Sequence, residues 1–126
     1  MVSAVLDTSA LMLPIEHDIR LFDELERLLG AVDPIVPEAV VEELDSLSGA
    51  GGKEGKAASV GGELVERHCR VVATSQHRAD DAVLALAREG RTPVVTADIE
   101  LIERAKDAGL SVIRPRGHHH MVLEHP

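Results

Sequence analysis

Four acidic residues stand where apolar stretches of the chain give way to polar ones, and together they have the chemistry of a metal site. Asp7 and Asp98 each follow a short apolar run, while Asp81 and Glu43 lie in segments with helical spacing of apolar residues. If the four carboxylates converge, their mutual repulsion favours either protonation or a bound cation. Because hard divalent ions take oxygen ligands, we predict a Mg²⁺ or Mn²⁺ site.

The elements that must bring these acids together alternate between strands and helices. Strands are predicted over residues 2–6, 35–36, 71–73, 93–96 and 111–114. Helices are predicted over 18–29, from Pro37 to a glycine-rich loop at 49–55, and over 56–68, 79–89 and 98–108. This alternation is typical of a three-layer α/β/α fold with a central parallel sheet of about five strands. Ligands bind at the carboxyl edge of such a sheet, where Asp7 and Asp98 should both emerge.

Length and composition set further bounds on the class of protein. The 126 residues suit a single domain spanning 1–126, and the net charge of −9 argues against a broad basic surface for nucleic acid. Cys69 is the only cysteine, which excludes an internal disulfide and a multi-cysteine zinc site. No apolar stretch approaches the ~20 residues of a membrane helix. The start of the chain lacks the features of a signal peptide, so we expect a cytoplasmic protein.

Each aspartate also has a purely structural explanation, because Asp is a favoured residue at helix N-termini. Asp98 precedes one predicted helix, and either Asp80 or Asp81 can cap another. Asp7 is harder to explain in this way, since an ionised side chain at the end of a buried strand is costly unless it is paired or functional. One metal site accounts for all of these acids together, whereas the structural explanation needs a separate reason for each.

The helix that begins near Pro37 carries two adjacent acids, Glu42 and Glu43. Apolar residues at 40, 44 and 47 define its buried stripe, and Glu43 lies beside that stripe whereas Glu42 points further outward. Glu43 is therefore the preferred candidate. A different polar cluster, His118–His120, precedes a short edge strand expected at 121–123, and we interpret it as an exposed segment and not as a metal site.

Several short motifs then occur in a specific order along the chain. They are Leu6-Asp7-Thr8-Ser9, Val36–Leu44, Ala79–Ala85 and Val95–Leu101, accompanied by Lys56-Ala57-Ala58 and Ile113–Arg116. In this order and spacing they resemble the PIN domain, a small metal-dependent nuclease fold found in toxin ribonucleases and RNA-processing factors. The similarity spans nearly the whole chain, and it looks closest to archaeal members related to the small-subunit ribosome-processing branch.

The resemblance assigns roles to residues of this sequence. It implies an acidic quartet that acts as metal ligands and catalytic residues, formed by Asp7, Glu43, Asp81 and Asp98. Supporting roles fall to Ser9 and Thr96, with Asp80 and Glu100 as lesser acidic candidates and Lys53 and Lys56 as candidate contacts to RNA. Many family members carry Asn where this chain has Ser9, and since both side chains are short and polar, this departure changes little.

The resemblance also implies an activity, which is hydrolysis of phosphodiester bonds in single-stranded RNA with Mg²⁺ or Mn²⁺ as cofactor, leaving a 5′-phosphate. The expected setting is RNA processing or ribosome biogenesis, with a pre-ribosome as partner. Two alternatives remain open at this point. One is a toxin ribonuclease blocked by an antitoxin, and the other is a catalytically weak RNA-binding or scaffold protein. A homodimer is expected from the family.

Overall fold

The computed structural model describes residues 1–126 as a six-stranded sheet flanked by six helices. The strands are β1 (Val2–Leu6), β2 (Val32–Pro37), β3 (Arg70–Val72), β4 (Val94–Val95), β5 (Val112–Arg116) and β6 (His120–Glu124). The helices are α1 (Thr8–Glu16), α2 (Leu21–Leu29), α3 (Glu38–Ser48), α4 (Gly52–His68), α5 (Ala79–Gly90) and α6 (Ile99–Asp107). None of these helices combines the length and apolar character needed to cross a membrane.

The sheet confirms the predicted α/β architecture. Its strand order is β3-β2-β1-β4-β5-β6, and every neighbouring pair is parallel except the last, in which β6 runs antiparallel to β5. The chain first builds outward from β1 through β2 to β3, and then crosses to the other side of β1 to add β4 and β5. The direction of building therefore reverses between β1 and β4, which is where open α/β sheets form their ligand crevice.

The core is built from aliphatic side chains because the chain has almost no aromatic residues. The strands at its centre are inaccessible to solvent at Val5, Leu6, Val94 and Val95, as expected for strands covered on both faces. The single aromatic residue, Phe22, lies at the edge of this core and stacks on a histidine of α4. The two central strands, β1 and β4, are thus held rigidly up to the points where Asp7 and Thr96 begin the site.

Helix α1 is the main departure from the sequence-based prediction, which placed only a short turn at Thr8 and Ser9. The helix begins directly after β1 because the Asp7 side chain caps it, accepting a hydrogen bond of 2.8 Å from the backbone amide of Ala10. Pro14 lies inside α1, and a proline at that position is a strong signal against a helix. Helix α4 also begins earlier than predicted, at Gly52, so the loop expected over 49–55 is much shorter.

Close packing against α4 holds α1 in place. At Gly61 of α4, an added β-carbon would lie only 2.9 Å from the carbonyl oxygen of Leu11 in α1. Only glycine therefore allows the two helices to approach this closely. Because α1 carries Ser9 on its first turn, this contact also fixes one wall of the site described below.

An ion pair on α2 holds the last strand, β6, against this helix. The buried carboxylate of Glu24 accepts hydrogen bonds from Arg27 at 2.8 Å and from the backbone amide of Met121 in β6 at 2.8 Å. Arg27 in turn donates to the Met121 carbonyl oxygen at 2.8 Å. The hydrogen bonds from Arg27, together with the one from Met121, lower the pKa of Glu24 to about 2.

We expect Glu24→Gln to lower the free energy of unfolding by about 2 kcal/mol at pH 7, because charge-assisted hydrogen bonds are lost. Because the pKa of Glu24 is lower in the folded state, its ionised carboxylate stabilises the fold at pH values above 4.5, the value in the unfolded chain. This stabilisation is lost as the pH falls toward about 2. Urea unfolding at pH 7 and pH 3 should thus give a smaller difference at the lower pH. The matched control is Glu26→Gln on the same helix, and an equal effect of both variants would contradict the role of Glu24.

Candidate active site at the carboxyl edge of the sheet

A cleft of about 690 Å³ opens at the carboxyl edge of the sheet, above the ends of β1 and β4. Its size falls within the usual range of ligand sites, about 300–1,000 Å³. Seven carboxylic acids line it, namely Asp7, Glu16, Glu42, Glu43, Glu54, Asp80 and Asp98. Only His77 and Arg78 among the lining residues carry basic side chains. The cleft is therefore strongly negative, and it suits a cation far better than a free anion.

Asp7 forms the floor of the cleft and is almost fully buried, with 6% of its surface exposed. Both of its carboxylate oxygens accept hydrogen bonds. Oδ1 receives the Ala10 amide at 2.8 Å and the Ser9 hydroxyl at 2.8 Å, and Oδ2 receives the Thr96 hydroxyl at 2.5 Å. These contacts hold the carboxylate plane in one orientation between β1 and β4.

The two hydroxyls beside Asp7 are themselves oriented by backbone amides. Ser9 Oγ accepts a hydrogen bond of 2.9 Å from the amide of Ala97, and Thr96 Oγ1 accepts one of 3.0 Å from the amide of Asp98. With a lone pair of each oxygen occupied in this way, each hydroxyl hydrogen is directed at Asp7. The segment that follows β4 thus positions both supporting side chains that the family resemblance assigned.

Burial raises the pKa of Asp7 to about 6, because removing the carboxylate from water disfavours its charged form. The hydrogen bonds from Thr96, Ala10 and Ser9 act in the opposite direction, and the nearby charge of Asp98 raises the pKa slightly further. The carboxylate is thus held in position for an interaction that the protein alone does not complete. A bound cation would supply that interaction.

Asp98 caps α6 and also lines the cleft. Its Oδ1 caps α6 by accepting the amides of Glu100 at 2.9 Å and Leu101 at 3.3 Å, whereas Oδ2 accepts no hydrogen bond. The side chain is exposed and lines the cleft. Capping therefore leaves one oxygen available. Glu100 is also exposed, but it is not part of the cleft wall.

On the opposite wall, helix α3 presents both of its adjacent acids to the cleft. Glu42 and Glu43 are exposed and both line it. The sequence-based preference for Glu43 over Glu42 rested on the buried stripe of α3, and the stripe exists, with Val40 and Leu44 buried. The structure brings Glu43 to the site as expected and brings Glu42 there as well.

At the start of α5 the two adjacent aspartates take different positions. Asp80 lines the cleft, whereas Asp81 does not. Arg104 of α6 lies behind them and donates to Asp81 Oδ1 at 2.8 Å and to Asp80 Oδ2 at 3.2 Å. Asp81 is therefore not among the acids that line the cleft, although both aspartates contact Arg104. Asp80 occupies the corresponding place in the cleft wall.

The lysines expected to contact RNA lie outside the cleft wall. Lys53 is exposed and its Nζ lies 3.5 Å from the carbonyl oxygen of Glu16 at the rim, and Lys56 is exposed one turn further along α4. Between them, Glu54 lines the cleft instead. The first turn of α4 thus adds the negative charge of Glu54 to the cleft, while its lysines lie outside the cleft wall.

Thr8 supplies a polar atom that nothing in the protein satisfies. Its side chain is buried, with 6% of its surface exposed, it lines the cleft, and its hydroxyl oxygen has no hydrogen-bond partner. Leaving such a hydroxyl unpaired typically costs about 1–3 kcal/mol. An oxygen of a bound ligand or of a coordinated water would remove that cost.

These observations together test whether the site suits a divalent metal ion. The donors are carboxylate and hydroxyl oxygens, which are the ligands that Mg²⁺ and Mn²⁺ prefer. The unpaired hydroxyl of Thr8 also lines the cleft and could contact a ligand there. However, no three acidic, histidine or cysteine side chains are close enough to hold a metal ion as they stand. The donors fit, and exposed side chains such as Asp98 and Glu43 must turn inward to complete the shell.

Arg104 and the pair His77 and Arg78 were not identified from the sequence. Arg104 lies 23 positions from Asp81, and no local pattern connects the two residues. His77 and Arg78 stand just before α5 in a segment whose composition is typical of an exposed loop. Their position on the wall follows only from the way α5 crosses to reach β4.

The α/β fold has an acidic cleft where the strand order reverses between β1 and β4. These two features place the chain in the class of small α/β proteins that includes nucleases with acidic active sites. A sequence profile described as the PIN-like domain matches residues 4–118. The chain therefore belongs to the PIN-like domain family, whose members are generally nucleases. No curated protein sequence matches the chain.

Solved structures with the same fold include an endonuclease and a toxin–antitoxin complex. The PIN domain endonuclease Utp24 aligns with a TM-score of 0.78 at 21% identity, covering 98% of this chain and 92% of the other. A domain of a functionally unknown protein from Methanocaldococcus jannaschii DSM 2661 aligns with a TM-score of 0.68 at 21% identity, covering 97% and 96%. VapBC2 from Rickettsia felis, bound to a promoter DNA fragment, aligns with a TM-score of 0.67 at 13% identity, covering 91% and 100%. At these identities the likeness establishes the fold.

Proposed function

We propose that this protein is a Mg²⁺- or Mn²⁺-dependent endoribonuclease that hydrolyses phosphodiester bonds in single-stranded RNA. The observation that carries the proposal is the environment of Asp7, a buried carboxylate held by Ser9 and Thr96 at the floor of an acidic cleft. Its charge is disfavoured by burial unless a cation accompanies it. Membership of a family of nucleases agrees with this arrangement.

In this proposal, Asp7, the free Oδ2 of Asp98 and Asp80 would hold the metal ion. Glu43 would orient water or help to hold a second ion, and Asp81 contacts Arg104 outside the cleft wall. When bound, Mg²⁺ or Mn²⁺ neutralises phosphate charge and lowers the pKa of a coordinated water, so that hydroxide is available at neutral pH.

The hydroxyl side chains act on Asp7 and on the bound ligand. Ser9 and Thr96 keep the Asp7 carboxylate in one orientation, and a carboxylate that cannot rotate loses less entropy when a ligand binds. Thr8 donates its free hydroxyl hydrogen to a phosphate oxygen or to a coordinated water. No histidine or lysine is required as general base.

Thr8→Val tests the role of that hydroxyl, because valine has nearly the same shape and lacks only the polar group. We expect cleavage to fall about 10-fold, the lower end of the range for supporting residues at metal sites. Stability should be unchanged or slightly higher, since a buried unpaired hydroxyl is removed. Initial cleavage rates and thermal unfolding check this, with Thr8→Ser as the control that restores the hydroxyl. Loss of stability without loss of activity would contradict the assignment.

The proposed biological setting is RNA processing or ribosome biogenesis in the cytoplasm, with a pre-ribosome as partner. The likeness to the endonuclease Utp24 over nearly the whole of both chains supports this setting. The likeness to VapBC2 supports a second candidate, a toxin ribonuclease whose cleft is blocked by an antitoxin. A homodimer remains an expectation from the family. The apolar residues Leu21 and Leu25 of α2 are buried within the monomer and are not available to form one.

The direct test is a cleavage assay on purified protein with three substrates of one sequence, namely single-stranded RNA, duplex RNA and single-stranded DNA. We expect Mn²⁺-dependent cleavage of the first, suppression by EDTA, and products that carry 5′-phosphates. Cleavage that persists in EDTA, or none of any substrate in Mn²⁺, would contradict the proposal. The second result would favour a catalytically weak RNA-binding or scaffold protein.

A further inference from the structure

A second groove, of about 320 Å³, begins beside the acidic cleft and has the opposite charge. Arg114, Arg116, His118 and His119 line it together with the apolar residues Ile19 and Ile99. We call this the basic groove. The start of α6 contributes to both depressions, since Asp98 lines the cleft and its neighbour Ile99 lines the basic groove.

The positive charge of the basic groove is only partly neutralised within the protein. Arg114 and Arg116 are two positions apart in β5, so their side chains emerge on one face of the strand. Arg114 lies 3.9 Å from Glu124, whose nearer partner is Lys106 at 2.8 Å. Arg116 is exposed and takes part in no ion pair. In a chain of net charge −9, Arg116 is therefore a positive charge that remains available to an anionic ligand.

The groove also has an accessible apolar residue. Ile99 is 64% exposed, whereas Ile19 is buried. The one aromatic residue of the chain, Phe22, stacks on His68 and is not part of the groove. A ligand with a flat apolar portion would therefore pack on Ile99 or on the imidazole rings. Anionic groups alternating with flat apolar rings are the repeating unit of single-stranded nucleic acid.

We propose that the basic groove binds the part of a single-stranded RNA that continues from the scissile phosphate. A phosphate of this segment pairs with Arg116 and His118, and its base packs against Ile99. This assignment rests on the proposed nuclease function. It also resolves an electrostatic difficulty, because seven acids line the cleft and would repel an RNA strand that had no cationic contact nearby.

Two other arginines without an ion pair provide a matched control. Arg88 and Arg91 line a separate depression with Thr92, Pro93 and Ser111, which precede β4 and β5. That depression therefore lies at the amino edge of the sheet, on the far side from the cleft. Arg91 is exposed like Arg116, so replacing it removes the same charge without touching the basic groove.

The test is RNA binding measured by fluorescence anisotropy in EDTA, in the Asp7→Asn background so that no cleavage occurs. Arg116→Gln should weaken the binding of single-stranded RNA several-fold. It should also lower the slope of log affinity against log salt by about 0.7, the value for one phosphate contact on a single strand. Arg91→Gln should leave both quantities unchanged. Equal effects of the two variants would overturn the proposal.

A phosphate scan locates the contact and separates RNA from other anions. Replacing single phosphates with neutral methylphosphonates should weaken binding at one or two positions on one side of the cleavage site, and Arg116→Gln should cause no further loss there. If the losses caused by the methylphosphonate and by Arg116→Gln added fully at every position, the proposal would be overturned. It would also be overturned if poly-glutamate displaced the RNA as effectively as unlabelled RNA does. If the protein is not a nuclease, it should show no Mn²⁺-dependent cleavage even when Arg116 and Arg91 are both intact.

Discussion

Asp7→Asn is expected to abolish RNA cleavage while making the metal-free protein more stable at neutral pH. The loss of activity should be on the order of 10³-fold or more, above the 10- to 100-fold typical of residues that only support metal ligands. The gain in stability should be about 1–2 kcal/mol. Burial disfavours the charge of Asp7, and the uncharged asparagine avoids that cost while losing part of the hydrogen bonding to Ser9 and Thr96.

The gain should depend on pH in a defined direction. Asp7 has a folded-state pKa of about 6 against an ordinary value of 3.8, so the folded state binds more protons between these values. The stability of the wild type therefore falls as the pH rises from about 4 to about 6 and is level above that. The difference between Asp7→Asn and wild type should grow across the same window. Thermal unfolding in EDTA at pH 4, 5, 6 and 7 measures it.

The control is Asp107→Asn, which removes the same charge from an exposed position at the end of α6. It should change neither cleavage nor the pH dependence of stability. If Asp7→Asn instead destabilises the protein by the same amount at every pH, then burial of the Asp7 charge is not what the substitution relieves. Cleavage by the variant at the wild-type rate would remove Asp7 from the active site.

Asp80→Asn is expected to reduce cleavage on the order of 100-fold, whereas Asp81→Asn should reduce it only a few-fold. The reason is their position, since Asp80 lines the cleft and Asp81 does not, although Arg104 contacts both. Both carboxylates are part-exposed, so loss of either ion pair should cost little stability. Single-turnover cleavage rates at saturating Mn²⁺, measured beside thermal unfolding, separate the two aspartates.

The reverse ranking would have a clear structural meaning. If Asp81→Asn abolished cleavage and Asp80→Asn did not, the start of α5 would have to turn so that Asp81 reaches the cleft. The family pattern, which favours Asp81 as the ligand, would then be correct. The experiment thus decides between the sequence pattern and the observed geometry.

The part of the fold that follows from hydrophobic patterning was predictable. Strands covered by helices on both faces are short, continuous apolar runs, so β1 and β4 and the emergence of Asp7 and Asp98 at one edge could be derived from the sequence. The antiparallel β6 was also expected as an edge strand at 121–123. In each of these cases a short apolar run in the sequence forms a strand in the structure.

The features that escaped prediction depend on contacts between distant parts of the chain. Helix α1 contains Pro14, and it exists because Asp7 caps it and Gly61 lets α4 pack against it. Arg104, which belongs to a different helix, contacts both Asp80 and Asp81, and no local pattern shows which of the two lines the cleft. The unpaired hydroxyl of Thr8 becomes evident only once its buried surroundings are known. Local patterns place the acids near the edge, and tertiary contacts determine which of them face the cleft.

The central claim is that the acidic cleft holds a divalent cation around Asp7, and calorimetric titration with Mn²⁺ tests it most directly. Wild-type protein titrated at pH 7 should show saturable binding, and Asp7→Asn should show none while remaining folded by circular dichroism. Binding should also raise the thermal unfolding temperature of the wild type alone. Absence of binding to the wild type, or binding of equal affinity to the variant, would contradict the account.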